Sequence, residues 1–474
     1  MQTHYMIPNA VNRGIFRAYD IRGIVGQGID EATVYVLGLA IGHEIVAQSL
    51  TDVVVGRDAR KSSNILIHAL HQGLIECGLN VIDIGEVTSP MLYFATYHLQ
   101  VPSGVMLTAS HNPPEYNGLK IVINGTSLTK DRIEHLYEQI INQNFYFADV
   151  PGQLQYQDIF ADYFGRITND IKLQRKLKIV IDCGNSIAGK IAPKIFNYLG
   201  CEVIPLFCEV DGSFPNHIPD PSVASNMADL QQKVLQTKAD IGLAFDGDAD
   251  RVGVVSEKGL IIWPDQLMLL FSKAILEQYP NGEIIFDVKC TAHLPTMIEQ
   301  WGGQPVMWQT GHSLLKNRLH QTSAPLAGEM SGHIFYNDRW YGFDDGVYVG
   351  ARLLELIASQ SQSVSQVFAQ FPQAVNTPEL KLLVAEEAKF LLMEIIAAEA
   401  KFTDAKIVTI DGLRIEFSYG WGLVRASNTS PCLTLRFEAD TEENLLKVQQ
   451  QIGKELLRLG ASNLPFAIDS SCLV

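Results

Sequence analysis

Residues 53–85 read VVVGRDARKSSNILIHALHQGLIECGLNVIDIG, and this stretch decides the fold. A short apolar strand is followed by a polar turn, a helical segment, a glycine and a second strand. The same plan returns in residues 178–207, KIVIDCGNSIAGKIAPKIFNYLGCEVIPLF, and in residues 283–311, EIIFDVKCTAHLPTMIEQWGGQPVMWQTG. Strands that alternate with helices predict βαβ units and a mostly parallel sheet. Three such units, about a hundred residues apart, predict three similar α/β domains.

Glycines mark the predicted ends of the helices in these three units. Glycine is the preferred residue just after the C-terminal end of a helix, because it adopts a left-handed backbone without strain. The first helix is therefore expected to stop at Gly78, the second at Gly200 and the third at Gly302 or Gly303.

The last hundred residues follow a different pattern. Residues 380–400 have helical periodicity, Asp411-Gly412 between two apolar runs is typical of a hairpin, residues 432–439 read as a strand, and residues 441–459 read as a helix. This pattern predicts a smaller α+β module. The predicted domains are residues 1–155, 156–260, 261–372 and 373–474.

Composition narrows the class of protein and of partner. The chain has 474 residues, 47% of them hydrophobic, and a formal net charge of −16, which favours a globular protein and disfavours nucleic acid as a partner. No apolar run is long enough for a membrane span and the N-terminal residues do not resemble a signal peptide. Seven cysteines without a C-x-x-C pair indicate free thiols in the cytoplasm.

Residues 108–114, TASHNPP, follow the apolar run 104–107. Ligand-binding loops of α/β sheets lie at the carboxyl ends of strands, so Ser110 is a candidate nucleophile, with His111 beside it. An ordinary turn rich in Ser, Asn and Pro is the alternative.

Residues 246–251, DGDADR, lie between the apolar runs IGLAF and VGVV. Asp246, Asp248 and Asp250 alternate along an extended loop, so their carboxylates can converge on one hard cation, and oxygen-only ligands suit Mg²⁺. Arg251 follows directly and can hold a phosphate oxygen beside the metal.

Two further loops carry clustered polar side chains. Residues 328–333, GEMSGH, place Glu329, Ser331 and His333 at alternate positions, where they point to one side and can hold sugar hydroxyls. Residues 425–431, RASNTSP, resemble an anion cradle. Either loop alone also fits a plain surface connection. Arg22, Lys120, Lys289 and His312 are further candidates, although each alone fits a structural or solvated side chain as well.

These motifs, in this order, resemble the α-D-phosphohexomutase superfamily. FRAYDIRG, TASHNP, DGDADR, GEMSGH and RASNTSP are most similar to its bacterial phosphomannomutase/phosphoglucomutase branch. The resemblance covers nearly the whole chain. It implies three similar α/β domains with mixed, mostly parallel sheets and a C-terminal α+β domain, arranged around a central cleft.

The resemblance also implies roles for individual residues. The phosphoserine would be Ser110, and the Mg²⁺ ligands would be Ser110, Asp246, Asp248 and Asp250. The groups that assist catalysis would be Arg22, His111, Lys120, Arg251 and His333. The groups that bind substrate would be Tyr19, Lys289, His312, Glu329, Ser331, Arg425, Ser427, Asn428 and Thr429.

The implied reaction interconverts hexose 1-phosphates and hexose 6-phosphates of glucose, mannose or both, through a hexose 1,6-bisphosphate. The partners are then small hexose phosphates, and the chain is expected to be a monomer or a weak homodimer. Three other functions stay open: a phosphoglucosamine mutase, a phosphatase that is phosphorylated on Asp246, and a sugar-phosphate-binding protein without catalysis.

Overall fold

The computed structural model describes residues 5–385, 388–427 and 431–468. The chain divides into two compact units, the first formed by residues 1–267 and 312–367 and the second by residues 268–311 and 368–474. None of the helices in the described ranges is long and apolar enough to cross a bilayer.

The first part of the chain builds a seven-stranded mixed sheet in the first unit, with strand order β1-β5-β4-β2-β3-β7 and β6 paired with β5. The strands are β1 Ile21–Ile24, β2 Asp52–Arg57, β3 Asn80–Glu86, β4 Gly104–Leu107, β5 Tyr116–Ile123, β6 Thr126–Ser127 and β7 Leu154–Tyr156. The helices are α1 Glu31–Val46, α2 Ser63–Glu76, α3 Ser89–His98 and α4 Lys130–Ile141. Strand β2 runs parallel to β3 and β4, whereas β5 is antiparallel to β4 and β1.

The next part builds a five-stranded sheet, also in the first unit, with strand order β12-β11-β10-β8-β9. The strands are β8 Lys178–Asp182, β9 Glu202–Leu206, β10 Ile241–Phe245, β11 Val252–Ser256 and β12 Ile261–Ile262. The helices are α5 Phe160–Asp170, α6 Ala192–Tyr198 and α7 Ala228–Thr237, and the chain passes into the second unit within α8 Pro264–Leu276. Strands β9, β8 and β10 are parallel, and β11 turns back antiparallel to β10.

The third βαβ plan contributes to both units. In the second unit, β13 Glu283–Asp287 and β14 Gln304–Trp308 are parallel and flank α9 His293–Gln300. In the first unit, α10 His312–Thr322 precedes the antiparallel pair β15 Leu326–Gly328 and β16 Ile334–Tyr336, and α11 Gly346–Ala358 and α12 Val364–Phe368 follow.

The C-terminal part is a six-stranded antiparallel sheet in the second unit, with strand order β17-β22-β21-β20-β19 and β18 paired with β22. The strands are β17 Val375–Asn376, β18 Leu380–Leu383, β19 Lys406–Val408, β20 Leu413–Phe417, β21 Gly420–Ala426 and β22 Cys432–Ala439. Two helices complete this part, α13 Lys389–Glu399 and α14 Glu442–Arg458. The alternation of βαβ plans with an α+β end is the predicted fold class.

Local signals in the sequence account for several element ends. The helices α2, α6 and α9 stop two residues before Gly78, Gly200 and Gly302, and all three glycines have positive φ. The hairpin at Asp411-Gly412 is confirmed, because Val408 pairs with Arg414 across it. The prediction of one helix over residues 380–400 is wrong at its start, since residues 380–383 pair with β22 as a strand.

Candidate active site

The candidate nucleophile, Ser110, lies in a strained loop just after β4. Its side chain is buried and its φ is +48°, a left-handed conformation that costs a non-glycine residue about 1 kcal/mol or more. The amide of Ser110 donates a hydrogen bond to Oγ1 of Thr108 at 2.9 Å. Its hydroxyl donates to Oδ2 of Asp246 at 2.8 Å, and Nδ1 of His111 lies 3.2 Å from the same oxygen.

The three aspartates among the four predicted metal ligands converge as expected. Asp246, Asp248 and Asp250 follow β10, are fully buried, and each offers a carboxylate oxygen within 4.8 Å of the others. Burial and the two neighbouring carboxylates raise the pKa of Asp246 well above its usual value. Three like charges this close need a cation, and a set of carboxylate oxygens suits Mg²⁺.

Lysine 120 provides part of that positive charge. Its buried Nζ lies 2.6 Å from Oδ2 of Asp248 and also donates to Oδ2 of Asp250. Burial opposes ionisation of Asp250, but Lys120 and His333 outweigh it and hold the pKa of that carboxyl well below its usual value. The other oxygen of Asp248, Oδ1, is buried and accepts no hydrogen bond from any residue in the described ranges. An oxygen in this state fits a metal ligand, so the residues present fit a bound Mg²⁺.

The metal loop packs directly against the serine loop. A Cβ placed on Gly247 would lie 2.1 Å from the carbonyl oxygen of Ser110, closer than any side chain allows. The metal loop also contacts α11, because the amide of Gly346 donates to the carbonyl oxygen of Ala249 at 3.0 Å. The first of these contacts accompanies the hydrogen bond between the nucleophile and Asp246.

The predicted sugar loop joins β15 to β16, and its three polar side chains face one another. Oε2 of Glu329 lies 2.9 Å from Oγ of Ser331 and 2.7 Å from Nδ1 of His333. A backbone bridge pairs His333 with Arg251, so the sugar loop lies next to the metal loop. The prediction that these side chains point to one side agrees with this geometry.

The ring of His333 lies between carboxylates and a guanidinium. Its Nε2 is 3.3 Å from Oδ1 of Asp250 and 3.1 Å from Nε of Arg251. Burial alone would lower the pKa of His333, but Asp250 and Glu329 raise it to about 9. By contrast, burial and the nearby Arg251 lower the pKa of His111 well below its usual value, so that ring is neutral.

Three more predicted residues lie beside this centre. His312 stacks on His333 with ring centroids 5.2 Å apart, and Tyr19 meets His312 edge-on at 5.5 Å. Nη1 of Arg22 donates to Oδ1 of Asn112, in the serine loop, at 2.6 Å.

The other predicted binding residues belong to the second unit. Nζ of Lys289 lies 3.4 Å from Oε2 of Glu379, and Nη2 of Arg425 lies 3.2 Å from Oδ2 of Asp411. Lys289 and, to a smaller extent, Arg425 lower the pKa of Glu379, which places both cations near one carboxylate. The amide of Ser427 donates to the carbonyl oxygen of Cys432 at 3.0 Å. The predicted ligands Asn428 and Thr429 lie outside the described residues.

Sequence reasoning missed several side chains that support these groups. Oγ of Ser89 donates to Oδ2 of Asp248 at 2.5 Å, and Asp344 accepts from Lys316 at 3.1 Å and lies 3.1 Å from Nδ1 of His312. A fourth, Arg60, is wholly buried against the serine loop. Ser89 and Lys316 lie in α3 and α10, and only Asp344 and Arg60 lie in polar loops that could have been noticed from the sequence.

Comparison with known proteins identifies the family of the chain. Models of four phosphoglucomutase/phosphomannomutase domains match the chain: the alpha/beta/alpha domains I, II and III over residues 13–147, 160–259 and 263–375, and the C-terminal domain over residues 379–455. The chain therefore belongs to the phosphoglucomutase/phosphomannomutase family.

Individual relatives cover nearly the whole chain. A phosphomannomutase/phosphoglucomutase of Pseudomonas putida is 50% identical over 98% of this chain and 100% of its own length. A phosphoglucomutase of Neisseria meningitidis is 46% identical over 93% of this chain and 96% of its own length. A crystal structure of a phosphoglucomutase/phosphomannomutase family protein from Burkholderia thailandensis has a TM-score of 0.91 at 45% identity and covers 96% of this chain and 100% of its own.

Proposed function

We propose that this chain is a phosphomannomutase/phosphoglucomutase. It would interconvert hexose 1-phosphates and hexose 6-phosphates by passing a phosphoryl group through Ser110, with a hexose 1,6-bisphosphate between the two half-reactions. The observation that carries the proposal is the buried hydroxyl of Ser110, 2.8 Å from Asp246 at the edge of a three-carboxylate cluster. A hydroxyl placed among metal ligands and fixed cations suits phosphoryl transfer, in which positioning and charge neutralisation do most of the work.

The metal proposed for this cluster is Mg²⁺. The ligands would be Asp246, Asp248, Asp250 and an oxygen on Ser110. A bound Mg²⁺ would stabilise the negative charge of the transferring group as a Lewis acid. Arg251, whose guanidinium lies 3.9 Å from Asp246, is placed to hold a phosphate oxygen on the same side.

We assign proton transfer to His111 and His333, because the site lowers the pKa of the first ring and raises the pKa of the second. The substrate hydroxyl loses a proton when it attacks the phosphoserine, and the oxygen of Ser110 regains one when the phosphoryl group leaves. The neutral ring of His111, 3.2 Å from that oxygen, is placed to exchange this proton. His333, with a pKa of about 9, holds a proton at neutral pH and can act as the acid. Lys120 and Arg22 would offset charge near the reacting oxygens.

The sugar and its second phosphate would be bound by other groups. Glu329 and Ser331 present oxygens that can bond neighbouring hydroxyls, and His312 and Tyr19 lie beside them. Lys289, Arg425, Ser427, Asn428 and Thr429 remain the predicted ligands of the phosphate that does not react.

The hydrogen bonds of Asp246 argue against phosphorylation at that residue. Its Oδ2 accepts from the Ser110 hydroxyl and its Oδ1 accepts from the Arg251 amide at 3.1 Å, so neither oxygen is aimed outward as a nucleophile. The names of the relatives favour glucose and mannose phosphates over glucosamine phosphate.

Two measurements test the proposal. Intact-mass analysis should show one added phosphoryl group on purified protein, stable to hydroxylamine and absent from Ser110→Ala. Coupled assays should show turnover of glucose 1-phosphate and mannose 1-phosphate that a chelator abolishes and Mg²⁺ restores. A hydroxylamine-labile adduct would instead place the phosphoryl group on an aspartate, and full activity in excess chelator would exclude the metal.

A further inference from the structure

Arg60 lies beneath the loop that carries Ser110, and the proposed mechanism gives it no part. Its side chain is 1% exposed. Nη2 donates to the carbonyl oxygens of Ser110 and Asn112 at 2.7 and 2.6 Å. Nη1 donates to the carbonyl oxygens of Pro113 and Tyr116 at 2.6 and 3.0 Å. One guanidinium therefore holds four backbone carbonyls of the serine loop.

A buried carboxylate fixes the guanidinium from the other side. Oδ2 of Asp58 accepts from Nε of Arg60 at 3.1 Å, and Oδ1 accepts from the Arg60 amide at 3.0 Å. Asp58 also accepts from the hydroxyl of Thr108 at 2.7 Å, and Thr108 in turn accepts from the amide of Ser110. The Asp58–Arg60 pair thus holds the loop both before and after the serine.

This arrangement has a physical reason. The loop turns four carbonyl oxygens toward one point, where they repel one another unless a donor lies between them, and its serine has a φ of +48°. A guanidinium offers five N–H groups in a rigid plane, so it can bond Asp58 and all four carbonyls together. Lysine has three donors around a single point and cannot reproduce this fork.

We propose that Arg60 is a positioning residue for phosphoryl transfer. It holds the backbone of residues 110–116 so that the Ser110 oxygen stays in line with the metal loop while the phosphoryl group is donated and taken back. Arg60 donates to Asp58 and to backbone carbonyls, and its proposed role is therefore to act through the position of Ser110. The inference rests on the proposed function, since it requires that Ser110 carries the phosphoryl group.

The test distinguishes a role of Arg60 in positioning Ser110 from a role in substrate binding. In Arg60→Lys we expect kcat to fall about a hundredfold, because a displacement near 1 Å can cost that much, while KM stays within about threefold. In Arg60→Ala, guanidinium ions at concentrations well below denaturing ones should raise kcat at least about tenfold, because the ion can occupy the place of the missing side chain and bond the same carbonyls. The ions should have no such effect on Arg60→Lys.

A matched control uses another buried arginine of the first unit. Arg352 pairs with both oxygens of Asp338 at 2.9 Å, away from the serine loop. Arg352→Lys should lower the unfolding temperature about as much as Arg60→Lys but leave kcat within about twofold of the parent. A kcat of Arg60→Lys equal to that of Arg352→Lys, or a fall explained by unfolded protein, would overturn the proposal.

Two further measurements guard against misfolding and against a wrong nucleophile. If Arg60→Ala does not fold, Asp58→Asn with Arg60→Met removes both buried charges together and should show the same loss of kcat. Hydrogen exchange should show faster exchange of the amides in residues 110–116 of Arg60→Lys, whether or not the protein is active. Unchanged exchange there would refute the hold on the loop. A missing phosphoserine in the parent would refute the proposed function and with it the role of Arg60 in phosphoryl transfer, while faster exchange in Arg60→Lys would still show that Arg60 holds the loop.

Discussion

Replacement of Lys120 by methionine tests the charge balance of the metal site without altering a metal ligand. The lysine is 4% exposed, and its Nζ contacts Asp248 at 2.6 Å and also contacts Asp250. Methionine keeps most of the volume but removes the positive charge that lies between the two buried carboxylates. Breaking a buried ion pair in this way costs about 3–5 kcal/mol. At roughly 2 °C per kcal/mol for a large domain, the unfolding midpoint in a chelator should fall by about 6–10 °C.

Magnesium should reverse most of this loss. The three aspartates of the variant have lost the lysine that competes with a metal ion, so Mg²⁺ should bind Lys120→Met more tightly than the parent. A ligand at a thousand times its Kd stabilises a protein by about 4.1 kcal/mol, which is close to the expected loss. Thermal unfolding in chelator and in saturating Mg²⁺, with a calorimetric titration of Mg²⁺ into each protein, measures both effects.

A second buried lysine serves as the control. Nζ of Lys316 lies 3.1 Å from Oδ1 of Asp344, which is not one of the three aspartates. Lys316→Met should lose comparable stability in chelator but gain no more from Mg²⁺ than the parent does. If Lys120→Met unfolds at the parental temperature in chelator, or if Mg²⁺ raises all three midpoints equally, then Lys120 does not balance the metal carboxylates.

Three other outcomes are expected. Arg425→Ala should raise KM about 10- to 100-fold, which is the worth of a charge-assisted hydrogen bond to phosphate, and should leave the phosphoserine content unchanged. Steady-state kinetics measure the KM, and intact mass measures the phosphoserine content. An unchanged KM would remove Arg425 from the binding site. Burial raises the pKa of Asp345 to about 7, so the folded protein holds a proton that the unfolded chain releases near pH 3.8, and stability from this group falls as pH rises through that window. Relative to Asp345→Asn, the parent should therefore lose up to a few kcal/mol between pH 4 and 7, and parallel unfolding curves of the two proteins across this range would contradict it. Catalytic efficiencies for glucose 1-phosphate and mannose 1-phosphate should agree within about tenfold, because the sugar must bind in two flipped orientations, and Glu329→Gln should impair both alike; a strong preference for one epimer would show a dedicated contact to C2.

Much of the fold could be predicted because local rules decide it. The glycines at positions 78, 200 and 302 end helices through their own backbone conformation, whatever surrounds them. The helix predicted over residues 380–383 is wrong for a different reason. These residues form a strand because they pair with β22, about fifty residues away, and that pairing outweighs the helical preference of their local pattern.

The residues of the candidate active site also fall into those with a local sequence signal and those without one. The residues proposed to carry the chemistry stand in short motifs, so the sequence could propose Ser110 and the three aspartates as a group. The residues that hold them in place do not stand in such motifs. Ser89 contacts Asp248, which is 159 positions away in the sequence, and Arg60 contacts Ser110, which is 50 positions away. No local pattern reveals such a contact, because the donor and acceptor become neighbours only after the sheets have formed.

The contact between Gly247 and the Ser110 carbonyl bears on how mutational screens of this enzyme should be interpreted. A screen that scores growth would find position 247 as intolerant as the aspartates on either side of it, although glycine has no group that could act on a substrate. Alanine would fail there about as badly as tryptophan, because the first added carbon already overlaps the neighbouring loop. Loss of activity on every substitution would then report that the loop has no room for one added carbon, and such a profile should not be taken as the mark of a catalytic side chain.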